Sequence, residues 1–229
     1  MAALSKIISA LMLLAAVALA AVRFDLVSED FNPFSPLSLD NPRQWFVDVK
    51  LTALRNDEQL CRTVLNQRYV DAVPVSNKPL REGCGWSNSV AVSRVGGAKM
   101  TVSPLTCEMT AATALWVLQD VQPLARATFG SGVAKIHTIG TYSCRNIAGS
   151  GRRSQHAKAN AIDISGFTLE DGRSVLVRND WNSDGPKAKF LKSVYEGACR
   201  YFRVTLRPDY DAAHADHIHL DRSAFRACA

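Results

Sequence analysis

The sequence predicts an α+β fold: a small antiparallel sheet with helices packed on one face, stabilised by disulfides at its periphery. Three observations lead there. Short β-branched runs are grouped in the middle and at the end of the chain rather than alternating one for one with helices. Apolar residues recur at helical spacing in four separate stretches. The six cysteines are widely spread and contain no C-x-x-C pair, so a thiolate zinc knot is not indicated and three disulfides are. With 229 residues, 47% hydrophobic and 21% charged, the chain has the composition of an ordinary globular protein with room for one well-buried domain. That excludes disordered and fibrous classes.

Lys6 precedes Ile7 to Val22, an uncharged run of mostly leucine, alanine, valine and isoleucine. Ala16, Ala18, Ala20 and Ala21 suit an A-x-A cleavage site. The run is short of the about 20 residues of a spanning helix. Residues 1–22 are therefore read as a signal peptide, with an uncleaved inner-membrane anchor over residues 7–22 as the alternative. Either delivers the rest to the periplasm or the exterior, and membrane contact is expected only through this segment.

Residues 23–40, with Asn32, Pro33 and Pro36, read as an extended linker, and residues 41–229 as the functional domain. Asp40 or Asn41 and Pro42 can start a helix carrying Trp45, Val47, Leu51 and Leu54. A second runs from about Asp57 to Gln67. Ser89 to Val95 and Ala98 to Val102 flank Gly96-Gly97, a hairpin signature. Cys107 to Ala127 is the longest helical stretch, kinked or ended by Pro123. Val133 to Ile139, Asn160 to Ile164 and Arg173 to Val177 are expected strands. A late helix spans about Lys187 to Phe202, and Val204 to Leu206 and His217 to Leu220 close the sheet.

With 27 basic and 21 acidic side chains, the formal charge is +6. A basic exported protein suits an anionic polymer such as the cell wall, although simple solubility explains the charge equally well. No Lys/Arg-rich block with interleaved aromatics exists, so nucleic acid is not an expected partner. A monomer is favoured.

Four of the five histidines fall in two short polar segments, Ser154 to Asp163 and His214 to Asp221. His217 and His219 are two apart, so on a strand both rings face one side, with Ile218 and Leu220 on the other. Asp163 sits between Ile162 and Ile164, where a carboxylate is costly unless paired or metal-bound. A structural Asp held by backbone N–H groups is the plainer alternative. Together the segments supply His156, Asp163 and His219, three ligands that would leave Zn²⁺ a fourth position for water, so the sheet is expected to carry the zinc site. His137, in an apolar strand, reads as a core residue.

Ser154-x-His156-x4-Ala161-x-Asp163 resembles the S-x-H-x-x-G-x-A-x-D motif of the D-Ala-D-Ala carboxypeptidase and lysostaphin-like zinc peptidases, with Ala159 at the motif's glycine position. His214-x-x-His217-x-His219 looks like the H-x-x-H-x-H run of penicillin-insensitive murein endopeptidases. Gly140-Thr-Tyr-Ser-Cys-Arg145 resembles the bacterial extensin-like C-terminal domain family, over about residues 41–228. The resemblance implies a zinc peptidase acting on peptidoglycan peptides, as a carboxypeptidase or an endopeptidase. His156, Asp163 and His219 would hold the metal and His217 would act as general base. Arg145 would steady an oxyanion or a substrate carboxylate, His214 would support the base or wall the cleft, and Ser154 would bond within its loop or to substrate. Arg152, Arg153 and Lys158 flank His156 and could meet carboxylates of a diaminopimelate-type peptide.

Two other readings stay open. One is a non-catalytic wall-binding protein that keeps a structural metal. The other is a cysteine hydrolase using Cys144, against which stands the even cysteine count of an exported chain. Six cysteines allow 15 pairings, of which Cys199 with Cys228 would tie the tail to the preceding helix.

Overall fold

The computed structural model describes residues 2–24 and 26–229. Its centre is a nine-stranded mixed sheet, larger than the small antiparallel one expected. In chain order the strands are β1 (Val70–Val75), β4 (Ser89–Val95), β5 (Ala98–Thr106), β6 (Val133–Gly140), β7 (Ala161–Leu169), β8 (Ser174–Leu176), β9 (Val204–Leu206), β10 (Ile218–Asp221) and β11 (Ala227–Cys228). Their spatial order is β1-β4-β5-β6-β7-β10-β9-β11, with β8 paired to β7. A separate two-stranded ribbon pairs β2 (Lys78–Arg81) with β3 (Cys84–Trp86). Two pairings are parallel, β5 with β6 and β9 with β11. Local sequence pattern carries no record of either, because each joins strands with other elements between them in the chain.

Alternation along β5 shows how one face is covered. Ala98, Met100 and Val102 are buried while Lys99, Thr101 and Ser103 are exposed. The covering layer is led by α4 (Cys107–Trp116), which packs on β4 and β5 and is buried on every side. Thr106 caps it by accepting from Met109 N–H. Around it lie α2 (Val47–Ala53), α3 (Glu58–Leu65), α5 (Gln122–Phe129), α6 (Val177–Asp180) and α7 (Pro186–Ala198). Trp116 donates its indole N–H to the Val194 carbonyl at 2.8 Å, locking α4 to α7.

Several boundaries differ from expectation. The long helix is interrupted by a π-turn over Val117–Val121 before α5 resumes with Pro123 in its first turn. Proline's missing N–H explains a break in the hydrogen-bond ladder there. The first expected helix begins only at Val47, after Phe46 takes a left-handed φ of 57°. At Gly96 and Gly97 φ is 57° and 82°, the conformation that a tight β4–β5 hairpin requires. β1 carries Pro74, which removes a ladder donor; its place at the sheet edge accommodates that loss.

An apolar helix, α1 (Ala2–Arg23), matches the expected signal or anchor segment and is long and apolar enough to cross a membrane. Beyond Arg23, which ends α1, the described residues of the segment expected as a linker form no helix or strand, yet the segment is folded onto the domain. Leu37 and Leu39 are fully buried in the core, and Gln67 bridges the Leu37 carbonyl and the Leu39 N–H at 2.8 Å each.

The cysteines pair as Cys61–Cys107, Cys84–Cys144 and Cys199–Cys228, the last as suggested by sequence. They tie α3 to α4, β3 to the loop after β6, and the end of α7 to the C-terminal strand. Such crosslinks typically stabilise a fold by roughly 2–4 kcal/mol each. Cys144 is thereby bonded, which removes the thiol that a cysteine hydrolase requires. A buried ionic cluster joins the helices to the sheet: Arg222 Nε lies 2.6 Å from Glu108, whose other oxygen meets Arg55 Nε at 2.8 Å, and Arg222 also reaches Asp48 at 2.7 Å.

Candidate metal centre

Strands β7 and β10 run antiparallel with Asp163 directly opposite His219. Their neighbours Ile162, Ile164, Ile218 and Leu220 point into the core, so the period of two turns Asp163 and His219 to the opposite face. The third group comes from a loop. Ser154 accepts from the His156 N–H at 3.3 Å and starts a 3₁₀ turn over Gln155–Lys158. Ala159 closes that turn at φ 53°, a left-handed conformation that favours the glycine of the motif. The turn sets His156 against the strand pair.

Three side chains converge. His156 Nε2 is 3.1 Å from Asp163 Oδ2 and 3.2 Å from His219 Nδ1, and His219 Nδ1 is 2.9 Å from Asp163 Oδ1. Zinc bonds of 2.0–2.1 Å in a tetrahedron would give donor–donor edges of about 3.3–3.4 Å. The observed contacts are somewhat shorter, and they reach Asp163 through its two different oxygens.

The far side of each imidazole is oriented as well. His156 Nδ1 lies 3.2 Å from the Thr141 carbonyl and His219 Nε2 lies 3.1 Å from Asp221 Oδ2. Both partners only accept, so Nδ1 of His156 and Nε2 of His219 carry the protons. The remaining nitrogens face each other and the two oxygens of Asp163. That arrangement demands either an extra proton or a cation between them. It is the way in which metal-bound histidines are usually held from outside.

Charge follows the same geometry. Burial alone would raise the Asp163 pKa, but hydrogen bonds from His156 and His219 hold it well below the carboxylate range. Burial alone would discharge His219, yet Asp163 and Asp221 push its pKa up to about 9. The two carboxylates thus favour a cationic His219 within the cluster.

The other histidines stand beside it. His217 Nδ1 is 2.9 Å from Asp216, leaving Nε2 facing Asp163 Oδ1 at 3.5 Å. His214 Nδ1 is 2.6 Å from Asp211, with its ring centroid 5.2 Å from that of His217 and 5.8 Å from that of His219. Burial lowers the His214 pKa despite Asp211. Asp163, His217 and His219 are buried, with side-chain exposures of 8%, 9% and 10%.

The remaining expected residues are placed differently. Ser154 is buried and bonds within its own loop. Arg145 is exposed on that loop, with no carboxylate in ion-pair reach among the described residues. Arg153 is half-buried, with bonds from Nε to the Glu82 carbonyl and from its guanidinium to Asn146 Oδ1. Lys158 is exposed. His137 corrects the core expectation: it is half-buried and bonds Thr168 at 2.7 Å, whereas Ile136 is the core-facing neighbour. Asp221 and the Thr141 carbonyl were missed by sequence reasoning. The signal for Asp221 was available, since in His219-Leu-Asp221 the outer two residues share a strand face.

A family model described as the C-terminus of extensin-like proteins matches residues 59–229. No curated protein and no solved structure matches the chain.

Proposed function

The chain belongs to the extensin-like protein C-terminus family, and from that premise we propose that it is an exported zinc-dependent peptidase hydrolysing amide bonds in peptidoglycan peptides of the cell envelope. The observation that carries the reading is the convergence of His156, Asp163 and His219 at 2.9–3.2 Å, with each imidazole oriented from behind. Two nitrogens and a carboxylate suit zinc, and three protein ligands leave a position for water or substrate as catalytic zinc sites do.

His156, Asp163 and His219 would hold a zinc ion, which would supply Lewis acidity toward a substrate carbonyl and toward water. His217, fixed by Asp216 with Nε2 toward the cluster, takes the proton of the attacking water and returns it to the leaving amine nitrogen. His214, held by Asp211, walls this side of the site. Arg145, in ion-pair reach of no carboxylate among the described residues, binds a substrate carboxylate or the developing oxyanion. Ser154 acts through the loop, by holding the turn that presents His156. The apolar helix α1 delivers the domain across the inner membrane, as a signal or an anchor.

A non-catalytic wall-binding protein with a structural metal is the second reading, favoured by the burial of His156 at 2% exposure. Mass spectrometry of muropeptides incubated with the zinc-loaded chain separates the two. Cleavage that stops on chelation supports the peptidase. Retained zinc with no cleaved product on any wall fragment supports the structural metal.

A further inference from the structure

A cavity of about 510 Å³ lies behind the turn that carries His156. Its walls are the β2–β3 ribbon, the residues after α2, the 155–158 turn and the segment after β10. The turn is a shared partition: His156 points to the metal centre, while Gln155 and Lys158 line the cavity. The same holds after β10, where His219 belongs to the centre and Arg222 to the cavity. Asn160 makes the partition rigid, donating to Gln155 Oε1 at 2.8 Å and to the Arg222 carbonyl at 3.0 Å.

The cavity is unbalanced in charge. Arg55, Lys78, Lys158 and Arg222 line it against one acid, Glu108. Glu108 is already held by Arg55 and Arg222. Lys78 and Lys158 have no carboxylate in ion-pair reach among the described residues, and both are exposed. Lys78 Nζ rests 5.2 Å from the Trp86 ring and 5.0 Å from the Tyr142 ring, and donates to the Tyr142 hydroxyl at 3.2 Å. Pro79, Leu80 and Trp86 add apolar wall. A volume of this size suits a ligand of a few residues. Uncompensated cations next to apolar wall suit one that carries carboxylates on a short hydrocarbon frame.

We infer that this cavity binds an acidic peptide, and that Lys78 and Lys158 select its free carboxylates. The inference rests on the peptidase reading only for the source of that peptide, which would be the strand flanking the bond to be cut. The lysines are specificity-determining residues and touch no atom of the metal cluster.

The test is calorimetric binding of the full chain to a peptidoglycan stem peptide with free carboxylates and to the same peptide with them amidated. Amidation is expected to weaken binding about tenfold or more, as for a lost charge-assisted hydrogen bond. In the double variant K78A/K158A the two peptides are expected to bind alike and weakly. His219→Ala, which disables the proposed hydrolysis, is expected to keep the preference, so failure of the peptidase reading and failure of this one are distinguishable. Equal affinity of the unaltered chain for both peptides, a preference that survives in K78A/K158A, or displacement of the peptide by peptide-free wall glycan would overturn the assignment.

Discussion

Asp163 on β7 and His219 on β10 face each other across an antiparallel pair, with Oδ1 and Nδ1 2.9 Å apart, although 56 residues separate them in the chain. Sheet pairing delivers the two groups, and the loop bearing His156 completes the triangle. Two of the three donors therefore sit on rigid elements, the arrangement that holds a metal geometry best.

Asp221 orients His219 without belonging to the donor triangle. Asp221→Asn is expected to weaken zinc affinity by roughly 10–100-fold, the usual cost of losing an outer carboxylate behind a ligating histidine. Competition against a fluorescent zinc chelator measures it. An unchanged affinity would show that the 3.1 Å contact between the two side chains is incidental.

Zinc uptake is expected to release protons at neutral pH. The metal-free His219 has its pKa raised to about 9 by Asp163 and Asp221 against the effect of burial, so at pH 7 a proton must leave as the ring becomes a ligand. The same shift has the opposite sense for the metal-free fold. A raised pKa stabilises fully below about 6.5, the ordinary histidine value, and this contribution is lost as pH rises through about 9. Calorimetry in two buffers of different ionisation enthalpy counts the protons. A count of zero at pH 7 contradicts the arrangement.

His217→Ala and His156→Ala should part company. Loss of His217 is expected to leave zinc stoichiometry intact and to lower kcat on muropeptides by about 10²–10⁴-fold, the contribution of a general base. Loss of His156 is expected to abolish zinc binding and activity together. Metal analysis beside a cleavage assay reads both, and a His217→Ala enzyme with full activity excludes that residue as the base.

Away from the metal centre, Glu108 joins the buried guanidinium of Arg222 to the partly exposed one of Arg55. Glu108→Ala leaves Arg222 with less compensation while it remains buried at 1% exposure, and is expected to cost about 3 kcal/mol or more in unfolding free energy. Denaturant titration by circular dichroism measures this, and a loss under about 1 kcal/mol would show that Asp48 alone satisfies Arg222.

Asp48 gives the acid limb. Burial alone would raise its pKa, but Arg203 and Arg222 bring it down to about 2. A lowered carboxylate pKa contributes stability that is present above the ordinary value of 3.8 and disappears as pH falls through about 2. Asp48→Asn is therefore expected to flatten the fall in Tm between those pH values. An equally steep fall in the variant assigns acid lability to other groups.

Much of the helical layer was legible because amphipathic spacing is a local property. Asp57 accepts from the Leu60 N–H to start α3, and the hairpin at Gly96-Gly97 follows from backbone freedom alone. Elements with weak local signals were lost. β1 contains Pro74, while β2, β3 and β11 are only two to four residues long, too short for a period to emerge. His137 was misplaced because an apolar strand does not declare which of its faces is covered. Only the neighbouring β7 decides that, by presenting Phe167 to the core and Thr168 to the histidine.

The sequence by itself determined which side chains could share a face: His217 with His219, and Asp163 apart from Ile162 and Ile164, because a strand repeats every two residues. Tertiary structure alone decided that β7 and β10 are neighbours in a register placing Asp163 against His219. It also decided that Asp221 and Thr141 stand behind the two imidazoles, and which cysteines meet. Such contacts join residues distant along the chain. They are fixed by how the whole core packs, which no short window of sequence records.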